Sequence, residues 1–309
     1  MSAHVGTNLP AQITVFERGW LSSNNILIRG ESNTALVDSG YCTHSEQTLG
    51  LVLHALADQP LDVLINTHLH SDHCGGNQTL QATFPHLHTA IPPGLAKAVK
   101  DWDPIALTYA PTGQQCPPFK YTSLLEPASS MLLGDSLWQV HAAPGHDTHS
   151  VILFESDSKT LISADALWEN GFGVVFPELE GEHAFQEVAA TLDLIESLQP
   201  NTVIPGHGRV FNDAPKALAV ARARLQSFID NPIKHATHAG KVLLKFKLLE
   251  LHCTIRQDLE TWACQTSYFN ALHARYFGGI GISTWLEQLI QDLLRSSAAR
   301  QEGIYIVDA

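Results

Sequence analysis

Thr67-His68-Leu69-His70-Ser71-Asp72-His73 places three imidazoles and a carboxylate within six positions. Those side chains are good ligands for Zn2+, and they also suit iron and manganese. Random order of the 17 histidines gives an H-x-H-x-D-H cluster roughly three times in a thousand, so the pattern reads as a site and not as a fortuitous polar loop. Residues two apart in an extended segment point the same way. His68 and His70 are therefore expected to share one ion, with Asp72 and His73 turned towards a second. One loop does not supply enough donors for two ions. Further candidates are His146 in Pro144-Gly145-His146-Asp147, Asp165 in Ser163-Ala164-Asp165 and His207 in Gly206-His207-Gly208. Two ions roughly 3.5–4 Å apart would lower the pKa of a bound water to about 7. The resulting hydroxide could attack a carbonyl or a phosphorus with no Ser or Cys nucleophile. Cys74, although it adjoins His73, reads as a small buried residue.

The elements that must hold these groups alternate. Ile13–Phe16, Asn25–Ile28 and Thr34–Val37 read as strands, with a turn at Gly30-Glu31-Ser32-Asn33. Thr43 and Glu46 have the spacing of a capping box before a helix carrying Leu49, Val52, Leu53 and Leu56. Leu61–Asn66 is a short apolar run that reads as a buried strand and ends directly at the histidine cluster. The ends of strands are where α/β folds tend to place sites. Ser136–Ala142, Val151–Phe154, Thr160–Ser163 and Thr202–Ile204 read as further strands. Phe185, Val188, Leu192, Ile195 and Leu198 recur at helical spacing. The Pro-, Gly- and Gln-rich stretch Asp101–Ser123 reads as a long loop.

In this order and at these spacings, H-x-H-x-D-H, a Gly-His, an isolated Asp and a Gly-His-Gly resemble the metallo-β-lactamase-fold hydrolase superfamily over roughly residues 11 to 214. Asp38 in Leu36-Val37-Asp38-Ser39-Gly40 resembles that family's early Asp-x-Gly turn. The resemblance implies an α/β (α+β) fold, an αββα sandwich, with a binuclear site. His68, His70 and His146 would surround one ion, and Asp72, His73 and His207 the other. Asp165 would bridge them. The implied cofactors are two divalent metal ions, zinc first, with iron and manganese accepted by the same ligands. Asp72 would also be the catalytic carboxylate that orients the nucleophile, and Asp38 would support the ligands. Asp165 stands where antibiotic-hydrolysing β-lactamases carry Cys, so the pattern is closer to the glyoxalase II, thioesterase, lactonase and RNA-nuclease branches. The expected function is hydrolysis of a small-molecule thioester or ester by metal-bridging hydroxide. A lactonase and an RNA or DNA phosphodiesterase are the alternatives. The basic glutathione-binding motif of glyoxalase II itself has no match in the tail.

Around this set, His149, Trp168 and Tyr109 are weaker candidates for substrate contact, and Phe172 and Phe176 could extend an apolar wall. Charge bears on the substrate class. The chain has 18 Lys and Arg against 31 Asp and Glu, a net charge of −13, which disfavours a whole-chain grip on nucleic acid. From Pro215 onward 11 basic residues meet 8 acidic ones, whereas the first 214 residues carry 7 and 23. That shift divides the chain into a catalytic domain, 1–214, and a mostly helical domain, 215–309, which resembles the small winged-helix-like domain appended to some members of the superfamily, of a kind that covers an active-site mouth or builds a homodimer. The tail's apolar stripe, Trp285, Leu286, Leu289, Ile290, Leu293 and Leu294, follows a second capping box at Thr284 and Glu287, and Ile304–Val307 reads as a closing strand. Lys234, Lys241, Lys245 and Lys247 with His235 and His238 read as a solvated helix face. Five cysteines with no C-x-x-C pair, a polar N-terminus and no run near the ~18 apolar residues of a membrane span lead to the expectation of a reduced, cytoplasmic protein that does not cross a membrane.

Overall fold

Alternation along short apolar strands builds two layers of core. In the computed structural model, which describes residues 9–309, Ile26, Ile28, Ala35, Val37 and Ile65 point to one side and join Trp138, Val140, Val151, Leu153, Ile162 and Ile204 in a common core. The intervening residues Leu27, Leu36 and Leu64 point the other way and pack with Val52, Leu56 and Leu80. This is the period-2 alternation of a pleated sheet buried on both faces. The reading of a polar N-terminus over Met1–Pro10 rests mostly on residues 1–8, which lie outside the described residues.

The first sheet holds β1 (Ile13–Phe16), β2 (Asn25–Arg29), β3 (Thr34–Val37), β4 (Val63–Ile65), β5 (His88–Ile91) and β6 (Ser123–Leu124) in sequence order. The second holds β7 (Ser130–Leu133), β8 (Ser136–Ala142), β9 (Val151–Glu155), β10 (Thr160–Ala164) and β11 (Thr202–Pro205), ordered β11-β10-β9-β8-β7. Parallel neighbours require crossovers. The helices Ser45–Leu56 and Asn77–Thr83 provide them for β3–β4 and β4–β5, and Ala184–Leu198 does so for β10–β11. The last of these buries the expected stripe Phe185, Val188, Leu192 and Ile195. Thr191 is tied by its hydroxyl to the Pro144 carbonyl at 2.8 Å. The layers are thus the expected αββα sandwich.

The chain divides into two compact units. Among the described residues, 9–107 with Gln115–Leu225 form the first, and Thr108–Gln114 with Gln226–Ala309 the second. A helix runs unbroken from Ala214 to Asp230 across the composition boundary at 214/215. The second unit contains the helices Pro232–Leu251, Arg256–Gln265, Ser267–Tyr276 and Ile282–Arg295. It also has a small antiparallel sheet, β12 (Cys253–Ile255), β13 (Ala299–Glu302) and β14 (Tyr305–Asp308), ordered β12-β14-β13. Trp285, Leu286, Leu289, Ile290 and Leu293 are buried as the helical stripe requires. The basic stretch is largely neutralised: Lys241 faces Asp292, Lys245 binds Asp308, and Lys247 pairs with Glu250 at 2.9 Å. His235 is buried against the ring of Phe228. Among the described residues, no helix is long and apolar enough to cross a membrane.

Neither capping box forms. A 3-10 turn, Cys42–His44, precedes the first helix, which opens at Ser45 with no side-chain cap. The last helix opens at Ile282, two residues before Thr284, and Glu287 is drawn instead to Arg256. The segment Asp101–Ser123 is not wholly irregular, since Tyr109–Thr112 forms one helical turn.

Candidate metal centre

The first unit gathers all seven predicted polar residues. β4 delivers the chain to Asn66 and Thr67. His70 then ends the extended run (φ −65°, ψ 148°), and the turn Ser71–Cys74 brings round Asp72 and His73. His146 follows β8, Asp165 follows β10 and His207 follows β11. Asp165 is presented by a kink: the β10–β11 register shifts between Ile162 and Ala164, and Ala164 has φ +46°, a left-handed value that costs a non-glycine residue energy. Two glycines leave room for the groups. A Cβ on Gly206 would lie 2.2 Å from Asp165 Oδ1, and one on Gly173 would lie 2.4 Å from His146 Nδ1.

His70 Nδ1 lies 3.1 Å from His68 Nε2 and 2.8 Å from His146 Nε2. In a tetrahedral site with bonds of 2.0–2.1 Å, ligand nitrogens stand about 3.3 Å apart, so this triangle has the size an ion needs. His146 Nδ1 donates to the Val174 carbonyl at 2.6 Å, which leaves Nε2 as a lone pair facing the triangle. Burial and the neighbouring imidazoles hold His68 far below the ordinary histidine pKa. Burial and His70 bring His146 to about 4. Both are therefore neutral, as ligands must be.

Asp72, His73 and His207 form a second group able to hold a metal. His207 Nε2 is 3.1 Å from Asp72 Oδ2. His73 Nδ1 is 2.8 Å from Asp38 Oδ2. Among the described residues, its Nε2 is buried with no hydrogen-bond partner, as is Nδ1 of His207. A buried unpaired nitrogen is costly, and an ion would satisfy His73 Nε2. Asp165 faces both groups. Its Oδ2 lies 3.4 Å from His146 Nε2, while its Oδ1 lies 3.5 Å from His73 Nε2 and 3.8 Å from His207 Nε2. Burial alone would raise the carboxyl pKa of Asp165, but His207, His73 and His146 outweigh it and hold it well below the carboxylate range. At Asp72, His73 and His207 likewise outweigh burial and favour the carboxylate. At His73, burial is outweighed by Asp38, Asp165 and Asp72, which favour the proton. An ion would replace that proton as the positive partner of the three carboxylates.

Supporting groups complete the site. Asp38 sits at φ +59° and accepts from Thr67 N at 2.9 Å and Thr67 Oγ1 at 2.8 Å. Its carboxylate is thereby held against His73. Ser39 N and Asn66 Nδ2 both donate to the His73 carbonyl, and Asn77 bridges Asn66 and Ser39. Trp168 donates its indole N–H to Asp165 Oδ1 at 3.2 Å. His149 is exposed, lies against Gly94 and is in none of the groups among the described residues that could hold a metal. Tyr109 belongs to the second unit, where it is buried. Cys74 is buried, with Leu69 and His70 carbonyls and Cys116 Sγ around its sulfur. Trp20, which the sequence pattern did not single out, stacks on His207 with ring centroids 5.5 Å apart and planes 13° apart.

The family model described as the metallo-beta-lactamase superfamily matches residues 18–207, more than half of the chain. The chain belongs to that superfamily. An acyl-coenzyme A thioesterase of Gallus gallus is 26% identical over 214 residues, covering 63% of this chain and 76% of the relative. A hydroxyacylglutathione hydrolase of Prochlorococcus marinus (strain MIT 9312) is 24% identical over 144 residues, or 47% of this chain. The alignment spans 49% of that relative, about half its length. A solved metallo-beta-lactamase family protein from Thermus thermophilus aligns with a TM-score of 0.56 at 15% identity, covering 96% of this chain and 97% of that one. At that identity the likeness shows the shared superfamily fold and nothing finer.

Proposed function

We propose that this superfamily member is a two-metal hydrolase of small-molecule thioesters. His68, His70 and His146 would hold one ion, Asp72, His73 and His207 the other, with Asp165 between them. The observation that carries the reading is the placement of Asp165, with one oxygen towards each of two groups that could each hold a metal. Divalent ions bound there would supply Lewis acidity and a water acidic enough to attack a carbonyl near neutral pH. Zinc suits the donor set best, and iron or manganese would also be accepted.

The protein's own groups have separable tasks. Asp72, ionised and partly open to solvent, would orient the attacking water and take its proton on a carboxylate oxygen. Asp38 would hold the His73 proton on Nδ1 and so keep Nε2 for the ion. The β4 and β10 strand ends fix these groups before substrate arrives, which reduces reorganisation during the reaction. Thioesters are preferred among acyl substrates because the relatives named above are, by their names, an acyl-coenzyme A thioesterase and a hydroxyacylglutathione hydrolase. Neutralisation of Lys241, Lys245 and Lys247 removes much of the positive charge that a phosphodiesterase reading would have used.

Thiol release from glutathione and coenzyme A thioesters by metal-loaded protein is the direct test. Release should depend on the metal and exceed that of a His70→Ala control. A rate equal to the control across the panel would refute thioesters and move the search to lactones.

Asp38→Asn tests the supporting shell separately. Asparagine tolerates the left-handed backbone at this position, so the turn should survive. An amide nitrogen facing His73 Nδ1 would favour the wrong tautomer, with the proton on Nε2. Metal affinity is expected to fall about 10–100-fold, measured by competition with a chromophoric chelator. Unchanged affinity would exclude this role for Asp38.

A further inference from the structure

Trp20 is 55% exposed, yet its loop is tightly fixed. Ser23 N donates to the Asp72 carbonyl at 2.9 Å, and Asn24 N donates to the Gly206 carbonyl at 2.6 Å. The buried Asn24 amide donates to the Pro205 and Gly208 carbonyls and accepts from Arg18 N. The Arg18 guanidinium in turn binds Asn25, Thr48 and Gln47. The β1–β2 loop is therefore tied to both segments that carry Asp72 and His207, and Trp20 is set beside them. Its indole meets Trp168 at 5.3 Å and 65°. Trp168 is itself held by its N–H bond to Asp165 and lies edge-on to His207 at 5.5 Å. The two indoles thus meet at a corner beside the carboxylate facing both candidate metal groups.

We propose that Trp20 and Trp168 form the subsite for an apolar acyl chain, an inference that rests on the hydrolase reading above. Fixed indole faces offer methylene groups a large apolar area. Because the loop is already ordered, little entropy is lost when the chain settles there. The charged groups of a thiol carrier would gain less from bare ring faces than an alkyl chain does. Trp20 is thus a specificity residue that selects longer acyl groups, and its stack on His207 places the start of the chain at the reacting centre.

The test uses carboxylates, because they are the common products of thioester, ester and lactone hydrolysis and need no turnover to be read. Acetate and octanoate are titrated calorimetrically into metal-loaded wild type, Trp20→Ala and Trp20→Phe, and indole fluorescence is recorded in parallel. Octanoate should bind wild type roughly tenfold or more tighter than acetate. Trp20→Ala should lose most of that preference, and Trp20→Phe should keep part of it. Octanoate should shift wild-type emission and shift it much less in Trp20→Phe. No chain-length preference in wild type, or the same preference in Trp20→Ala, overturns the subsite. A preference that depends on Trp20 in a protein that releases no thiol supports the corner and refutes the thioesterase reading, so the two failures are distinguishable.

Discussion

His70→Ala is expected to retain one tightly bound metal ion instead of two and to lose thioester hydrolysis by more than about 100-fold, beyond the 10–100-fold cost of losing a supporting partner. The expectation follows from the nitrogen triangle. His70 Nδ1 is the corner shared by the 3.1 Å and 2.8 Å contacts to His68 and His146. Without it that side keeps two imidazoles and an Asp165 oxygen from a carboxylate that the other side also draws on, one protein donor fewer than the proposed set. His70 is also the safest of the three to truncate. His68 and His146 are buried, whereas His70 is partly exposed and makes no side-chain cap on the turn that follows it. The metal-free variant and metal-free wild type should therefore unfold within a few degrees of each other. Elemental analysis after dialysis gives the stoichiometry, and full occupancy in the variant would remove His70 from the proposed ligands.

What could be read from the chain alone follows the range of the interactions. His68, His70, Asp72 and His73 stand together in sequence, and a strand end was enough to orient them. Asp165 and His207 were legible because each follows an apolar run and lies next to a small residue. The kink that aims Asp165 was not legible, because the left-handed backbone of Ala164 is imposed by the β10–β11 register shift and not by alanine's own preference. Trp20 was missed for a similar reason. Nothing near it in sequence predicts a stack on His207; the hydrogen bonds of Ser23 and Asn24 to Asp72, Pro205, Gly206 and Gly208 create it. His149, although near His146 in sequence, is in none of the groups among the described residues that could hold a metal. The capping boxes failed because other backbone turns and the Arg256–Glu287 pair took up their residues. Local spacing was a sound guide to the donors, and long-range bonds decided which aromatic groups joined them.

Those long-range bonds also explain why the centre can carry so many charged groups in a buried place. A lone buried carboxylate would take up a proton. Here Asp72 and Asp165 share the field of His73 and His207, which favours both carboxylates, and Asp38 is held by hydrogen bonds from Thr67 and His73. Removing one member therefore has effects at the others.

Asp165→Asn makes that coupling measurable, and it is expected to lower hydrolysis by more than about 100-fold and metal affinity by at least the 10–100-fold seen for supporting groups. The substitution keeps the shape and removes the charge. Asparagine can satisfy its surroundings in only one of two ways. If its oxygen accepts from Trp168 Nε1, its NH2 faces His146 Nε2, the lone pair reserved for the ion. If it is turned over, NH2 meets the Trp168 N–H, and a buried donor is left unpaired at about 1–3 kcal/mol. Neither orientation restores an anionic oxygen for each metal group. The metal-free variant supplies a second readout. Asp165 is one of three carboxylates that raise the His73 pKa against burial. Its removal must move that titration to lower pH, so His73 loses its proton earlier as pH rises. The ring resonances of His73 followed by NMR would show this without any turnover. An unmoved titration with unchanged metal content would mean that Asp165 does not couple the two groups, and the two-metal proposal would lose the residue on which it rests.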